Sequence, residues 1–176
     1  MKILTLSAVF GAMLALTRAV ALLNDQVELG TGETIPEGQS HAVKRSTSCP
    51  WGWSRYRGRC FKYVPTPMTW TRAEQNCLSM HANLASVHSS NEYHAIQQLI
   101  VGITHAYDIT WIGGYKAHGG RSWLWSDGTS MRYFNWCPKE PNNLGLNQRC
   151  IQMNFSGAKC WDDVQCSSRR PSVCAK

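Results

Sequence analysis

Glu140-Pro141-Asn142, then Cys150, then Cys160-Trp161-Asp162-Asp163 and Cys166 is the stretch that decides the reading of this chain. It sets carboxylate and amide oxygens between cysteines able to clamp the loops that carry them. Hard cations such as Ca²⁺ take about six to eight oxygen ligands. Glu140, Asn142, Gln148, Asp162 and Asp163 offer a large share of such a shell. The proline fixes one φ angle between two of the donors. A Ca²⁺-dependent binding site is therefore expected here, rather than a catalytic one.

Working outward, Asn135 to Gln148 ahead of the cluster has two prolines, Asn and Gly clusters and almost no periodicity. Loops of this length are usually functional or disordered, and the flanking cysteines argue for function. Cys150 to Asn154, Lys159 to Asp163 and Ser172 to Ala175 read as closing strands. Upstream, Thr110-Trp111-Ile112-Gly113-Gly114 reads as a buried strand running into glycines. Trp123-Leu124-Trp125 leads into the turn Ser126-Asp127-Gly128.

Further toward the N-terminus come two helices. Thr69 is an N-cap for a helix to Met80, with Trp70, Ala73 and Cys77 on one face. Ser89 with Glu92 three residues on is a capping box, and Tyr93, Ile96, Leu99, Ile100 and Ile103 form the stripe of a second helix ending at Ile103. A short strand, Leu84 to Val87, separates them. Cys49 to Tyr63 reads as a hairpin turning at Arg57-Gly58.

The beginning of the chain has a different character. Lys2, an apolar run from Ile3 to Leu16 and Ala19-Val20-Ala21 fit a secretory signal peptide over residues 1–21. Residues 22–45 are polar, lack cysteine and aromatic residues, and end in the dibasic Lys44-Arg45. This is either a propeptide or a retained tail, and the start of the cysteine-rich part at Cys49 favours the propeptide. The mature domain is then 46–176. No later stretch is long and apolar enough to span a bilayer, so a secreted, extracellular protein is expected.

All eight tryptophans and all eight cysteines lie in that domain. An even cysteine count behind a signal peptide implies a disulfide framework, whose pairing spacing alone does not choose. Zinc is disfavoured, because there is no CxxC pair. The precursor's net charge of +7 belongs to the mature domain, which carries 14 Lys and Arg against 7 Asp and Glu. That charge either favours anionic surfaces, such as microbial envelopes and sulfated glycans, or is simply a solvated surface. The six histidines are scattered and no Ser/His/Asp or HExxH constellation stands out, so an enzyme is not expected.

These motifs carry a resemblance. Cys49-Pro50-x-Gly52-Trp53, the helix ending in Cys77, Leu84-Ala85-Ser86, Trp111-Ile112-Gly113-Gly114, Trp125-Ser126-Asp127-Gly128, Glu140-Pro141-Asn142, Trp161-Asp162-Asp163 and Val173-Cys174 occur in the order found in the C-type lectin-like domain. The chain resembles that family across Cys49 to Lys176. In its short secreted form it is most similar to the group holding fish lectins and type II antifreeze proteins. The resemblance implies an α+β fold: two helices, antiparallel sheets and a long ligand-binding loop, stapled by disulfides. It implies the pairs Cys49–Cys60, Cys77–Cys174, Cys137–Cys160 and Cys150–Cys166. Antifreeze relatives add a further pair, whose positions fall near Ala117 and at Arg149, where this chain has no cysteine.

In sugar-binding members, Ca²⁺ and two neighbouring sugar hydroxyls share one ligand set. Glu140, Asn142 and Asp163 match it. Gln148 stands where a Glu is expected, and Asp162 where an Asn is expected. The exchange keeps three acids in the set and keeps one acceptor and one NH₂ donor per hydroxyl with roles swapped. Glu140, Asn142, Gln148 and Asp162 would then contact the sugar. Glu-Pro-Asn implies a mannose-type preference, with microbial glycans as partners in innate immunity. Nucleic acid is not an expected partner, and a homo-oligomer is compatible with the sequence. A second Ca²⁺ site is not expected, because Arg149 occupies a position that needs an acid. Asn154-Phe155-Ser156 is a glycosylation sequon, either occupied or bare against its strand.

Overall fold

The structure is a computed structural model, and it describes residues 48–176. The signal peptide and propeptide assignments lie outside the described residues.

Local signals set the elements. β1 (Ser54–Tyr56) and β2 (Arg59–Met68) form a hairpin with Tyr56 opposite Arg59. Its two-residue turn needs positive φ at both positions, found at Arg57 (44°) and Gly58 (86°). α1 (Trp70–Ser79) starts at Thr69, whose side chain accepts from the Arg72 N–H, and buries Trp70, Ala73 and Cys77. α2 (Ser90–Thr104) starts at Ser89, whose Oγ accepts from the Glu92 N–H at 3.2 Å. The other half of the expected capping box is absent. Glu92 accepts instead from the His88 N–H (2.7 Å) and from Arg59 (2.7 Å), since a buried carboxylate gains more from a guanidinium.

β3 (Asn83–Leu84) is shorter than expected, although Ala85 continues extended and donates its N–H to Val173. β4 (Thr110–Lys116), β5 (Trp123–Trp125), β6 (Gln148–Phe155), β7 (Cys160–Gln165) and β8 (Arg170–Ala175) complete an eight-stranded sheet. Its main order is β1-β2-β8-β4-β6-β7, with β3 on β8 and β5 on β4. One pair, β4 with β8, runs parallel. The fold is α+β, as the resemblance implies.

Trp111, Trp125 and Trp161 are fully buried. Trp161 receives the edges or faces of Tyr93, Trp125, Tyr133 and Trp136, with ring centroids 5.6–6.2 Å away. Gly113 has no substitute there, since a Cβ would stand 2.4 Å from the Leu84 carbonyl oxygen. Four disulfides join Cys49–Cys60, Cys77–Cys174, Cys137–Cys160 and Cys150–Cys166, and no described cysteine is free. Cys77–Cys174, 97 residues apart, ties α1 to β8. A closure of that length is worth about 4–5 kcal/mol in the chain-entropy view. Cys137–Cys160 ties the start of the long loop to β7, and Cys150–Cys166 joins β6 to the residue after β7.

Asn154 is 1 % exposed. Its Oδ1 accepts from Gln97 (2.9 Å) and its Nδ2 donates to the Asp108 carbonyl (3.0 Å). The side chain thus bridges α2 to the sheet. Among the described residues no helix is long and apolar enough to cross a membrane.

Candidate metal and ligand site

β6 and β7 pair antiparallel and carry the floor of the site. Asp162 lies opposite Gln152, and Asp163 opposite Ile151. The long loop folds over them. Its Glu140-Pro141 bond is cis, and a short 3₁₀ turn spans Leu144–Leu146. Glu140, Asp162 and Asp163 each bring a carboxylate oxygen within 4.8 Å of the others. Asp162 and Asp163 are buried and Glu140 half-buried.

The loop is stitched to these acids. Both Asp163 oxygens accept backbone N–H groups, from Asn142 (2.9 Å) and Asn143 (3.0 Å). Glu140 accepts from the Asn142 N–H (3.1 Å) and side-chain NH₂ (2.8 Å). Asn142 Oδ1 accepts from the Leu144 N–H at 2.8 Å. Gln148, at the first position of β6, turns its Oε1 to the same Leu144 N–H. Its NH₂ has no hydrogen bond to a described residue, so the group left for a ligand is a donor.

Three residues that the sequence reading passed over support the site. Gln152, buried, donates to Asp162 Oδ2 at 2.8 Å and accepts from Arg170 Nε at 3.0 Å. Asn143 Oδ1 accepts from the Gln148 N–H at 3.0 Å. A polar Gln between Ile151 and Met153 on a closing strand was the one signal available for the first of these. Arg149 points away from the acids, its Nη1 donating to the Ala117 carbonyl at 2.9 Å.

The acids repel one another. Burial foremost, with the charge of Asp162 next, raises the Glu140 carboxyl above its usual range. Burial also raises Asp162, reinforced by Asp163 and only partly offset by the Gln152 amide and Arg170. Among the described residues the ion pairs all belong to Arg59, so no Lys or Arg side chain pairs with these acids. Three carboxylates with neighbouring amide oxygens and no thiolate or imidazole form a donor set that fits a hard divalent cation such as Ca²⁺.

Known proteins resemble this chain. The family model described as "Lectin C-type domain" matches residues 66–176. The chain is 38 % identical to ladderlectin of Oncorhynchus mykiss, over 98 % of this chain and 92 % of that protein. It is 42 % identical to lactose-binding lectin l-2 of Anguilla japonica, over 72 % of this chain and 77 % of that protein. A Ca²⁺-dependent type II antifreeze protein, solved in its Ca²⁺-free form, superposes with a TM-score of 0.68 at 38 % identity, covering 73 % of this chain and 99 % of that one. From the ordered motifs, the four bridges and these matches together, the chain belongs to the C-type lectin domain family, whose members are binding proteins and not enzymes.

Proposed function

We propose that this protein is a secreted, Ca²⁺-dependent lectin that binds mannose-type glycans, with microbial surfaces as its targets in innate immunity. The observation that carries the reading is the convergence of Glu140, Asp162 and Asp163 within 4.8 Å with no Lys or Arg ion pair to them among the described residues. Bound Ca²⁺ would supply two coordination positions to vicinal sugar hydroxyls. The chain's own residues would then sort the protons. Glu140 accepts from one hydroxyl while Asn142 donates to its oxygen; Asp162 accepts from the other while Gln148 donates. The outward NH₂ of Gln148 supports its donor role. The secretory start and the four disulfides support an extracellular protein.

The mannose-type preference rests on Glu140-Pro141-Asn142. A relative named for lactose binding makes galactose the alternative to exclude. A glycan array read with Ca²⁺ and with chelator tests the proposal. Chelator-sensitive binding to mannose, glucose or N-acetylglucosamine ligands is expected. Galactose selectivity would end the mannose assignment, and retention with chelator would end the Ca²⁺ assignment.

Ice binding is the second reading. It is favoured by the antifreeze likeness and by Leu144 and Leu146, 73 % and 81 % exposed beside the acids. Thermal hysteresis, measured with and without chelator, separates the two readings.

A further inference from the structure

A cavity of about 340 Å³ lies at the start of α1, lined by none of the acids of the candidate metal site. It is lined by Met68 at the end of β2, the helix cap Thr69, Arg72 in the first helical turn and Arg169 just before β8. Two arginines line one concavity. Neither forms an ion pair, since among the described residues both ion pairs belong to Arg59. Arg169 is held in place by a bond from its Nη2 to the Pro67 carbonyl at 3.1 Å, which leaves other donors of its fork unused. The first turn of α1 contains no acid, so the positive end of the helix adds to the two full charges. The next residue, Arg170, also brings positive charge to this edge of the sheet, with its Nε on Gln152.

We infer that this cavity is a second binding site, independent of metal, for a sulfate or phosphate group carried on a glycan. Guanidinium forks match the oxygens of a tetrahedral anion and are the usual choice for binding it. Like charges that share a concavity without a counter-charge repel one another, and an anion bound between them relieves both. The cavity exceeds what a bare anion fills and reaches the range of small-ligand sites. Met68 gives an apolar contact suited to the face of a sugar ring. The net charge of +7 draws a polyanion toward this surface.

Sulfate and phosphate share this chemistry, and two probes separate them: a fully sulfated heparin hexasaccharide and a phosphorylated mannose oligosaccharide. Each is titrated into the full chain in chelator, from low to physiological salt. Chelator silences the acidic site, so failure here is distinguishable from failure of the Ca²⁺ lectin reading. Binding of at least one probe is expected. The double variant Arg72→Ala/Arg169→Ala should bind about tenfold more weakly, and its dependence of log K on log salt should flatten by about 2, one for each lost anion contact. Arg72→Lys/Arg169→Lys, which keeps the charge but not the fork, should fall between. It also serves if the alanine pair does not fold. Arg55→Ala/Arg57→Ala removes the same charge from the hairpin and should change affinity less than about threefold, because it alters only the long-range field. An equal loss in that control, or no binding of either probe at physiological salt, overturns the inference.

Discussion

Two groups of acids sit in this domain, and their surroundings are opposite. Around Arg59 every charge is answered. Its Nη1 donates to Glu92 (2.7 Å) and to the Ser86 carbonyl (3.1 Å), and its Nη2 donates to Ser86 Oγ (2.8 Å). Ser86 in turn donates to Asp127, which also accepts from the Thr129 hydroxyl at 2.6 Å. Around Glu140, Asp162 and Asp163 no guanidinium or ammonium forms an ion pair. The first group welds the hairpin to α2 and to the turn after β5. The second holds repulsion that a bound cation or a proton relieves. Electrostatics therefore separates the acids answered by Arg59 from the cluster at the candidate site.

The largest expected effect is on the first group. Arg59→Met leaves Glu92 buried without its partner. Removing one member of a buried pair costs about 3–5 kcal/mol, and about 3 is expected here because Arg59 keeps 25 % of its side chain exposed. Urea unfolding with and without Ca²⁺ measures it. A loss below about 1 kcal/mol would mean that the network is not structural. The next effect belongs to the second group. Ca²⁺ at a hundredfold excess over Kd should raise wild-type stability by about 2.7 kcal/mol, and Glu140→Ala should abolish that rise. A wild-type melting temperature indifferent to Ca²⁺ would dissolve the contrast between the two groups.

Titration sharpens the same contrast because the signs differ. Burial raises Asp127, but the bonds from Ser86 and Thr129 and the charge of Arg59 outweigh it, and its carboxyl lies below the usual 3.8. Its contribution is present above that value and is lost as pH falls through the folded pKa. Glu140 and Asp162 are raised above 4.5 and 3.8, by burial foremost. The folded state holds their protons more firmly than the unfolded chain does, so stability is lost as pH rises through their folded pKa values. Ca²⁺-free protein should therefore gain stability on acidification from neutral pH toward those raised values, then lose it at lower pH as Asp127 protonates. Asp162→Asn should flatten the gain and stabilise the Ca²⁺-free protein at pH 7 by about 1 kcal/mol or more, since a like-charge contact at roughly 4 Å costs about 1 kcal/mol in water and more where the groups are buried. Thermal melts in chelator across pH decide it. A Ca²⁺-free wild type whose stability rises steadily from acid to neutral pH would contradict the assignment.

The two groups were not equally legible in the sequence. Both helix starts came from short-range chemistry, Thr69 and Ser89 each capping an N–H three residues on. So did the Arg57-Gly58 turn. The acids of the site were readable because the residue types themselves carry the chemistry. What stayed hidden depends on contacts far apart in the chain. The parallel pairing of β4 with β8 joins Trp111 to Ser172. The relay from Arg170 through Gln152 to Asp162 crosses three strands. Asn154 reads as a sequon, occupied or bare against its strand, and nothing in the sequence shows that its amide bridges α2 to the sheet. Glu92 reads as half of a capping box until the hairpin delivers Arg59.

The smallest effect tests whether Gln148 and Asp162 act as a pair. Gln148→Glu alone places four acids at the site and removes the donor for the second hydroxyl. Asp162→Asn alone removes a charge from the ion's ligands and leaves that hydroxyl without its acceptor. Both together restore one acceptor and one donor with the roles exchanged. The structure makes the cycle clean. A Glu at 148 can still accept from the Leu144 N–H, and an Asn at 162 can still accept from the Gln152 NH₂. Neither substitution orphans a partner or opens a cavity, so the coupling reports on the ligand. Mannose affinity measured at saturating Ca²⁺ should show the double variant binding at least as well as wild type, with a coupling of about 0.5–1 kcal/mol between the two positions. Strict additivity would show that the two side chains do not share a hydroxyl, and the swapped-role account of the site would fall while the Ca²⁺ prediction stood.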